Sequence, residues 1–237
     1  MPRSRATMKG VPGDAARRRG LRRVLVPVAC FGVVFGFGVG LAVGGVGALP
    51  WWVGVAVLAL AFAGFLAYCR RQPTLVYGYF KGARGEEMVA GELAHLPASW
   101  TILNGVLLPD GRDVDHVAVG PQGIFVIETK HWSGEVSVAG AQILANGRPL
   151  ERSPVEQVRR AVNAVARAAE VRPDALHGVL CFAGPQFADA PTHADEVFVC
   201  SYLDLVSAIS LGPAVLDAAA VARCVARLGA LTLTEGL

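Results

Sequence analysis

A long stretch within the first third of the chain lacks charge. From Val24 through Cys69 the sequence contains no Asp, Glu, Lys or Arg in 46 residues. The whole chain also lacks a Cys-x-x-Cys pair, a Walker phosphate loop, a dinucleotide-binding glycine pattern and a Ser/His nucleophile arrangement. These absences give no support to a zinc module, an ATPase, a nicotinamide enzyme or a serine hydrolase. The five cysteines are scattered among apolar residues, as expected of a cytoplasmic domain without disulfides.

The uncharged stretch predicts two membrane spans. As one helix it would extend ~69 Å, which is more than twice the ~30 Å hydrocarbon core of a bilayer. A Gly- and Pro-containing break precedes Trp51 and Trp52, an aromatic pair suited to the membrane interface. We therefore predict a hairpin with spans at about 24–45 and 51–69. A cleaved signal peptide is the alternative for the first span, although the second span would still anchor the protein.

Basic residues flank both predicted spans. Residues 1–23 carry eight basic residues and one acidic residue, and Arg70 and Arg71 follow the second span. Because Lys and Arg near the ends of spans favour the cytoplasmic side, both termini and the soluble part are predicted to be cytoplasmic, at the inner membrane.

Small residues recur every four positions in both spans. They are Gly32, Gly36, Gly40 and Gly44 in the first span, and Ala59, Ala63 and Ala67 in the second. Such stripes let helix backbones approach closely in lipid. They predict packing of one span on the other or self-association into a homo-oligomer, unless a Gly- and Ala-rich composition produces the spacing by chance.

The remainder of the chain predicts an α/β domain after a linker at 70–79. Residues 70–237 hold 14 basic and 18 acidic residues, so bulk charge does not indicate a nucleic-acid-binding platform. Alternating apolar patterns predict a sheet with helices on its faces. The predicted helices are 85–96, 153–170, 203–210 and 214–228; the predicted strands are 101–108, 134–138, 177–182 and 197–200, with hairpins at 112–130 and 143–150.

The hairpin at 112–130 is the most informative stretch. Val, Ile and Phe dominate two runs joined by Gly120-Pro-Gln-Gly123, a sequence typical of a tight turn. A two-residue turn would pair Gly120 with Gly123 and place Asp115 opposite Glu128, whereas a three-residue loop would shift the register by one residue. In either case Asp115, Glu128 and Lys130 meet at the end of an apolar hairpin.

Two carboxylates and an ammonium at the end of apolar strands require compensation for lost solvation. A divalent cation held by Asp115 and Glu128, with Lys130 beside it, would provide that compensation. The alternative is an ordinary surface salt bridge, which contributes little to stability.

The order of several short motifs resembles one known family. Gly82-Ala-Arg-Gly85-Glu86, Asp115-His116 and Ile127-Glu128-Thr129-Lys130 are followed by Trp132-x-Gly134. The Asp…Glu-x-Lys part resembles the signature of the PD-(D/E)xK nuclease superfamily, and the full set resembles its nuclease-related domain (NERD) branch. The resemblance covers residues 80–185, and 186–237 form a C-terminal extension of the same domain.

The resemblance implies a restriction-endonuclease-like mixed sheet and metal-dependent hydrolysis of phosphodiester bonds, with DNA as the expected substrate and RNA left open. Asp115 and Glu128 would hold Mg²⁺ or Mn²⁺, with the Thr129 carbonyl as a further oxygen, and Lys130 would assist catalysis. Glu86 would add a carboxylate, and Gln157, within Pro154-x-x-Gln157, would orient substrate or water.

Several of these residues have simpler interpretations. Glu86 lies in the first turn of the predicted helix at 85–96, where a carboxylate stabilises the helix dipole. Gln157 fits an exposed helix position, and Arg159 and Arg160 are either phosphate contacts or solvated arginines. A binding module that tethers nucleic acid or protein to the membrane, or a structural scaffold, remains an alternative function for the whole chain.

Overall fold

A computed structural model describes residues 5–44, 50–71, 73–184, 187 and 189–232. The chain divides into two compact units. One unit consists of residues 16–81, and the other combines residues 1–15 with residues 82–237. The N-terminal residues therefore belong to the same unit as the C-terminal two thirds of the chain.

The unit at 16–81 contains two helices long and apolar enough to span a membrane. Helix α1 is Asp14–Gly44 and helix α2 is Trp51–Arg71, and few residues of either apolar window are buried. The rings of Phe31 and Phe65 stack with centroids 4.6 Å apart. The hydroxyl of Tyr68 donates to the carbonyl of Arg23 at 2.7 Å. These contacts join the start of α1 to the end of α2, so the two helices are antiparallel neighbours.

The small-residue stripes do not lie between α1 and α2, which corrects the predicted packing. A Cβ added at Gly32, Gly36 or Gly40 would meet nothing within 4 Å, and Ala59, Ala63 and Ala67 are exposed. The surroundings of Gly44 lie outside the described residues. The helices meet instead through their aromatic rings and through Gly38, where an added Cβ would lie 2.9 Å from the side chain of Leu58. Contact between α1 and α2 therefore depends on Gly38 and on large side chains rather than on the stripes of small residues.

Helix α3 is Pro73–Leu93, so residues 73–79, predicted to be a linker, are helical. The predicted helix began at Gly85, twelve positions too late. Pro73 is the first residue of this helix, a position where proline is favoured because its missing N–H would have no partner there. The helix ends before Pro97, as predicted.

The larger unit is built on a seven-stranded mixed sheet in the order β1-β2-β3-β4-β8-β10-β9. Pairs β1–β2, β4–β8 and β8–β10 are parallel, and the remaining pairs are antiparallel. A separate three-stranded sheet has the order β5-β6-β7. The strands are β1 Thr7–Lys9, β2 Thr101–Leu107, β3 Asp113–Gly120, β4 Gly123–Lys130, β5 Val136–Ala139, β6 Gln142–Ala145, β7 Arg148–Pro149, β8 Leu176–Phe182, β9 Thr192–Ala194 and β10 Val197–Ser201.

Helices cover both faces of the large sheet. Helix α4 is Pro154–Ala169, α5 is Tyr202–Ser210 and α6 is Ala218–Gly229. Helices α3 and α5 pack on one face through Leu93 and Leu205, together with Ile127 of the sheet. Helices α4 and α6 pack on the other through Val165 and Leu228. The predicted fold class, a mixed sheet flanked by helices and preceded by two apolar helices, is confirmed.

Two strands were absent from the prediction, β1 and β9. Each has three residues, too few to show an alternating pattern. Both lie at edges of the large sheet. Residues of the predicted C-terminal extension supply β9, β10, α5 and α6, so the sheet continues past residue 185.

Gly120 is the last residue of β3 and lies against the ring of Trp100. A substitution at Gly120 therefore tests how closely the hairpin packs there. An added Cβ at Gly120 would lie 2.2 Å from the Trp100 ring, which is 1% exposed and cannot move aside easily. We expect Gly120→Ala to lower the free energy of unfolding by about 1–3 kcal/mol, as overpacking of a core does. Thermal unfolding followed by tryptophan fluorescence would measure the change.

The matched control is Gly91→Ala in α3, where an added Cβ meets nothing within 4 Å. This substitution should be neutral or stabilise the helix by up to about 1 kcal/mol. Equal stability of the two variants would contradict the close contact between Gly120 and Trp100.

Candidate functional site

The hairpin of β3 and β4 opens at the end that carries the charged residues. Its paired residues run from Gly120–Gly123 to His116–Ile127, which is the register of a two-residue turn. In this register Asp115 is the next position, opposite Glu128. The backbone N–H of Thr129 donates to Asp115 Oδ2 at 2.8 Å, so a side chain takes the place of a ladder bond. This hydrogen bond orients the Asp115 carboxylate at the point where the strands separate.

On its other side, Asp115 faces an irregular position of β2. The pairs Asn104–His116 and Val106–Val114 place Gly105 opposite Asp115. Gly105 has φ +62°, a conformation that residues with a Cβ rarely adopt. The strand therefore changes direction beside the carboxylate, which is a common way to re-aim side chains near a site.

Glu128, Lys130 and Gln157 form a hydrogen-bonded triangle. Lys130 Nζ lies 2.7 Å from Glu128 Oε1 and 3.0 Å from Gln157 Oε1. The amide nitrogen of Gln157 donates to the same oxygen of Glu128. Glu128 is buried, with 6% of its surface exposed, whereas Gln157 is exposed on α4. Four of the five predicted site residues, including Asp115, are therefore placed around one strand end.

Glu86, the fifth predicted residue, lies in the middle of α3 rather than in the first turn of a helix, so a helix-dipole role does not apply to it. It is 9% exposed, and its carboxylate oxygen Oε2 accepts a hydrogen bond from the backbone N–H of Gly13 at 3.0 Å. Its negative charge is close enough to Asp115 to affect that group. The structure thus brings Glu86 to the same site as Asp115 and Glu128.

Three neighbouring carboxylates change the acidity of the site. Loss of solvation raises the pKa of Asp115 well above its usual value, and the charges of Glu128 and Glu86 raise it further. The hydrogen bond from Thr129 and the charge of Lys130 oppose this effect without cancelling it. A cation bound beside Asp115 would counter these effects and favour the ionised carboxylate.

The donor set fits a hard divalent cation of the Mg²⁺ or Mn²⁺ type. In the part of the chain that the structure describes, no group of three or more His, Cys, Asp or Glu side chains is assembled around a common metal position. Mg²⁺ in phosphoryl-transfer sites needs only one or two carboxylates, since it keeps water and takes oxygens from the substrate phosphate. The carbonyl of Thr129 points to the same side of β4 as its N–H, toward Asp115, and can supply a further oxygen.

His116 is a core residue and not a ligand or a base. It is completely buried, and its Nδ1 lies 2.8 Å from Asn104 Oδ1. Burial lowers the pKa of His116 to about 3, so the imidazole is neutral at physiological pH. Its position next to Asp115 therefore serves packing of the core.

A groove of about 700 Å³ leads away from the site along α4. Its lining includes Lys130 and Gln157 of the site, Trp132, three arginines and two acids, namely Arg112, Arg152, Arg160, Glu151 and Glu156. Arg160 is largely exposed, with 71% of its side chain accessible. The groove holds four basic and two acidic side chains and one aromatic ring. Two of its arginines have acidic neighbours, with Arg112 at 2.9 Å from Asp110 and Arg160 at 3.9 Å from Glu156. The balance of the groove is basic, although the residues from 70 onward carry net negative charge.

Three features of the site were absent from the sequence-based prediction. Arg112 and Arg152 stand alone in loops, and nothing in their spacing indicates a common groove with Arg160. The contact of Gly13 with Glu86 joins residues 73 positions apart through a backbone N–H, which leaves no side-chain signal. Arg159, proposed as a phosphate contact, is instead paired with Glu156 at 3.0 Å and Asp195 at 3.1 Å.

The raised pKa of Asp115 leads to a prediction for stability. Above the unfolded pKa of about 4, the folded state binds this proton more strongly, so ionisation of Asp115 destabilises the fold as pH rises. Asp115→Asn removes the charge and keeps an acceptor for Thr129. In the presence of a chelator at pH 7.5 we expect this variant to melt above the wild type, by about 2–4 °C for each kcal/mol gained. The difference should disappear as pH falls toward 4.

Asp174→Asn is the matched control, because Arg172 lowers the pKa of Asp174. This substitution removes a favourable charge pair on the surface and should not raise the melting temperature. Identical melting of Asp115→Asn and the wild type at pH 7.5 would contradict the crowding of carboxylates at the site.

Comparison with protein families agrees with the geometry. Residues 81–183 match the model of the nuclease-related domain, NERD. The matched segment contains Glu86, Asp115, Glu128, Lys130 and Gln157. No curated protein and no solved structure matches the chain. Residues 81–183 are therefore similar to the nuclease-related domain, the family that the motifs predict.

Proposed function

We propose that the protein is a membrane-anchored, metal-dependent nuclease that hydrolyses phosphodiester bonds in nucleic acid, with DNA as the expected substrate. The observation that carries this proposal is the convergence of Asp115, Glu128 and Lys130 at the open end of β3 and β4. Acidic oxygens for a cation and an ammonium for developing negative charge are what phosphodiester hydrolysis requires.

The residues of the chain have separate roles in this mechanism. A bound Mg²⁺ or Mn²⁺ would polarise the phosphate and make a nearby water more acidic. Asp115 and Glu128 would hold the cation, and the Thr129 N–H would keep Asp115 in position. Lys130 would move from Glu128 toward the substrate, where it orients water or stabilises the negative charge that develops on the phosphate. Gln157 touches both Lys130 and Glu128, so it is suited to hold them in place.

The groove beside the site supports a nucleic-acid substrate. Arginine side chains recognise phosphate through paired hydrogen bonds, and aromatic rings stack on bases. Arg112, Arg152 and Arg160 would follow the backbone of the substrate, with Trp132 beside them. A local basic groove of this kind allows binding by a domain whose bulk charge is acidic.

A second candidate is a nucleic-acid-binding module that does not cleave. The observation in its favour is that Glu128 Oε1 is already shared by Lys130 and Gln157. A site closed by its own lysine would retain the groove and the tether to the membrane without the chemistry. The two candidates differ in whether a divalent cation displaces Lys130 from Glu128.

The proposed topology is an inner-membrane hairpin with both termini and the nuclease-related domain in the cytoplasm. Strand β1 (Thr7–Lys9) pairs with β2 (Thr101–Leu107), so the chain on either side of α1 and α2 enters one sheet. Residues joined in one sheet lie on one side of a membrane, and the segment between them must cross it an even number of times. Two crossings by α1 and α2 satisfy this requirement, and the flanking arginines favour the cytoplasmic side.

Homo-oligomer formation through the first span also remains a proposal. Gly32, Gly36 and Gly40 face away from α2 and toward the surroundings of the helix pair. Small residues in that position permit close approach of a helix from a second copy in the bilayer.

The proposed chemistry is tested with the full chain in detergent micelles. We expect calorimetry to detect Mn²⁺ binding in the micromolar to millimolar range, and Asp115→Ala or Glu128→Ala to abolish it. Lys130→Ala should retain Mn²⁺ binding, because it removes a competitor for Glu128, but should cleave labelled DNA at least about 100-fold more slowly.

Asp174→Asn, at a surface carboxylate remote from the site, is the control and should bind and cleave like the wild type. A folded wild type that neither binds Mn²⁺ nor cleaves DNA or RNA would contradict the nuclease. Binding of DNA without cleavage in any divalent cation would favour the tethering module instead.

The groove makes a separate prediction about salt dependence. Arg160→Ala should weaken DNA binding and reduce the slope of log affinity against log salt by about 0.7–0.9, the effect of one lost phosphate contact. Arg167→Ala, near the exposed end of the same helix and outside the groove, is the matched control. Fluorescence anisotropy at several salt concentrations measures both slopes, and equal slopes for the two variants would rule out the groove as the DNA path.

A further inference from the structure

The segment that precedes α1 is bound into the nuclease-related unit. We name residues 5–13 the N-terminal strap. Its strand β1 pairs in parallel with β2, with Thr7 opposite Thr101 and Lys9 opposite Leu103. Outside the strand, the N–H of Ala6 donates to the carbonyl of Leu96 at 2.9 Å. The strap thus covers an edge of the sheet that would otherwise expose unpaired backbone groups.

Beyond β1, the strap crosses the end of β2 to reach Glu86. The backbone N–H of Gly13 donates to Glu86 Oε2 at 3.0 Å, and both groups are buried. Gly13 has φ +76°, and an added Cβ would lie 2.9 Å from the carbonyl oxygen of Ala83. Glycine is therefore required for the strap to approach α3 closely enough for this hydrogen bond.

The strap is also held by a buried polar chain that continues to the strand of Asp115. The side-chain amide of Asn104, 1% exposed, donates to the carbonyl of Lys9 at 3.2 Å and lies 3.4 Å from that of Gly10. The other end of the same amide contacts His116 Nδ1 at 2.8 Å. His116 precedes Val117 in β3 and follows Asp115 directly, so strap and site share one set of buried contacts.

We propose that the N-terminal strap is a positioning element of the site, and that the Gly13 N–H holds the Glu86 carboxylate in the orientation it needs beside Asp115 and Glu128. The expected effect on metal binding rests on the proposed nuclease function. The hydrogen bond between Gly13 and Glu86 does not depend on that function. Glu86 lies on a helix packed against one face of the sheet, whereas Asp115 and Glu128 extend from strand ends. The Gly13 N–H is a donor fixed in the strap, and its hydrogen bond reduces the rotational freedom of the Glu86 side chain.

The strap also links the site to the apolar hairpin along the chain. Helix α1 begins at Asp14, the residue after Gly13. The nuclease-related domain matched at 81–183 is consequently incomplete without residues that precede the first span. A fragment that starts after α2 would lack β1, the Gly13 hydrogen bond and the partners of Asn104.

Two measurements on the full chain in detergent micelles test the strap. Hydrogen exchange read by mass spectrometry reports the contact without any metal. In Glu86→Ala the Gly13 amide loses its acceptor, so exchange of the segment around Gly13 should accelerate about tenfold while β1 stays protected. Unchanged exchange of this segment would overturn the contact.

Mn²⁺ affinity then reports the consequence for the site. We expect Gly13→Ala to weaken Mn²⁺ binding about tenfold, and Gly140→Ala, at another positive-φ glycine with open space around it, to leave binding unchanged. In the double variant Gly13→Ala with Glu86→Ala, affinity should equal that of Glu86→Ala alone, because Gly13 acts through Glu86. Additive losses would overturn the positioning role.

The two proposals fail in different ways. If the wild type binds no Mn²⁺ but Glu86→Ala accelerates exchange at Gly13, the strap contact stands and the metal-dependent function fails. If Mn²⁺ binds and Gly13→Ala has the affinity of the wild type, the nuclease proposal stands and the strap plays no part in it.

Discussion

The repulsion among three carboxylates is the constraint on which the site depends. Asp115, Glu128 and Glu86 arrive from β3, β4 and α3, and each is held by a different partner: the Thr129 N–H, the Lys130 and Gln157 side chains, and the Gly13 N–H. Such an arrangement is costly for folding, since loss of solvation and the charges of Glu128 and Glu86 raise the pKa of Asp115.

Much of this site could be predicted because its central part is local in sequence. Asp115, Glu128 and Lys130 lie within one hairpin, and the two-residue turn after Gly120 sets their register. Strand alternation then decides which side chains share a face. The position of Gln157 could be predicted because it lies on a helix whose start is marked by Ser153 and Pro154. Ser153 caps the helix and Pro154 occupies its first position.

The remainder depends on contacts that sequence patterns do not record. Strand β1 has three residues and finds its partner more than 90 positions away. The hydrogen bond from Gly13 uses only backbone, and Gly38 faces Leu58 while a more regular glycine stripe does not. The first half of α3 was missed for a different reason, because the sequence alone does not distinguish a proline that starts a helix from one that interrupts it. Local sequence preferences do not indicate the structure of segments whose conformation is determined by tertiary packing.

The early position of β1 has a consequence for biosynthesis. The ribosome makes β1 before both apolar helices, and β2 appears only after they have been synthesised. Until then β1 lacks the strand with which it pairs, and the large sheet cannot close this edge. Because pairing over such a long stretch of chain is slow, β1 should be among the last elements to join the sheet. An emerging chain in which β1 has not yet paired would present an open β2 edge to other chains, which is a route to aggregation.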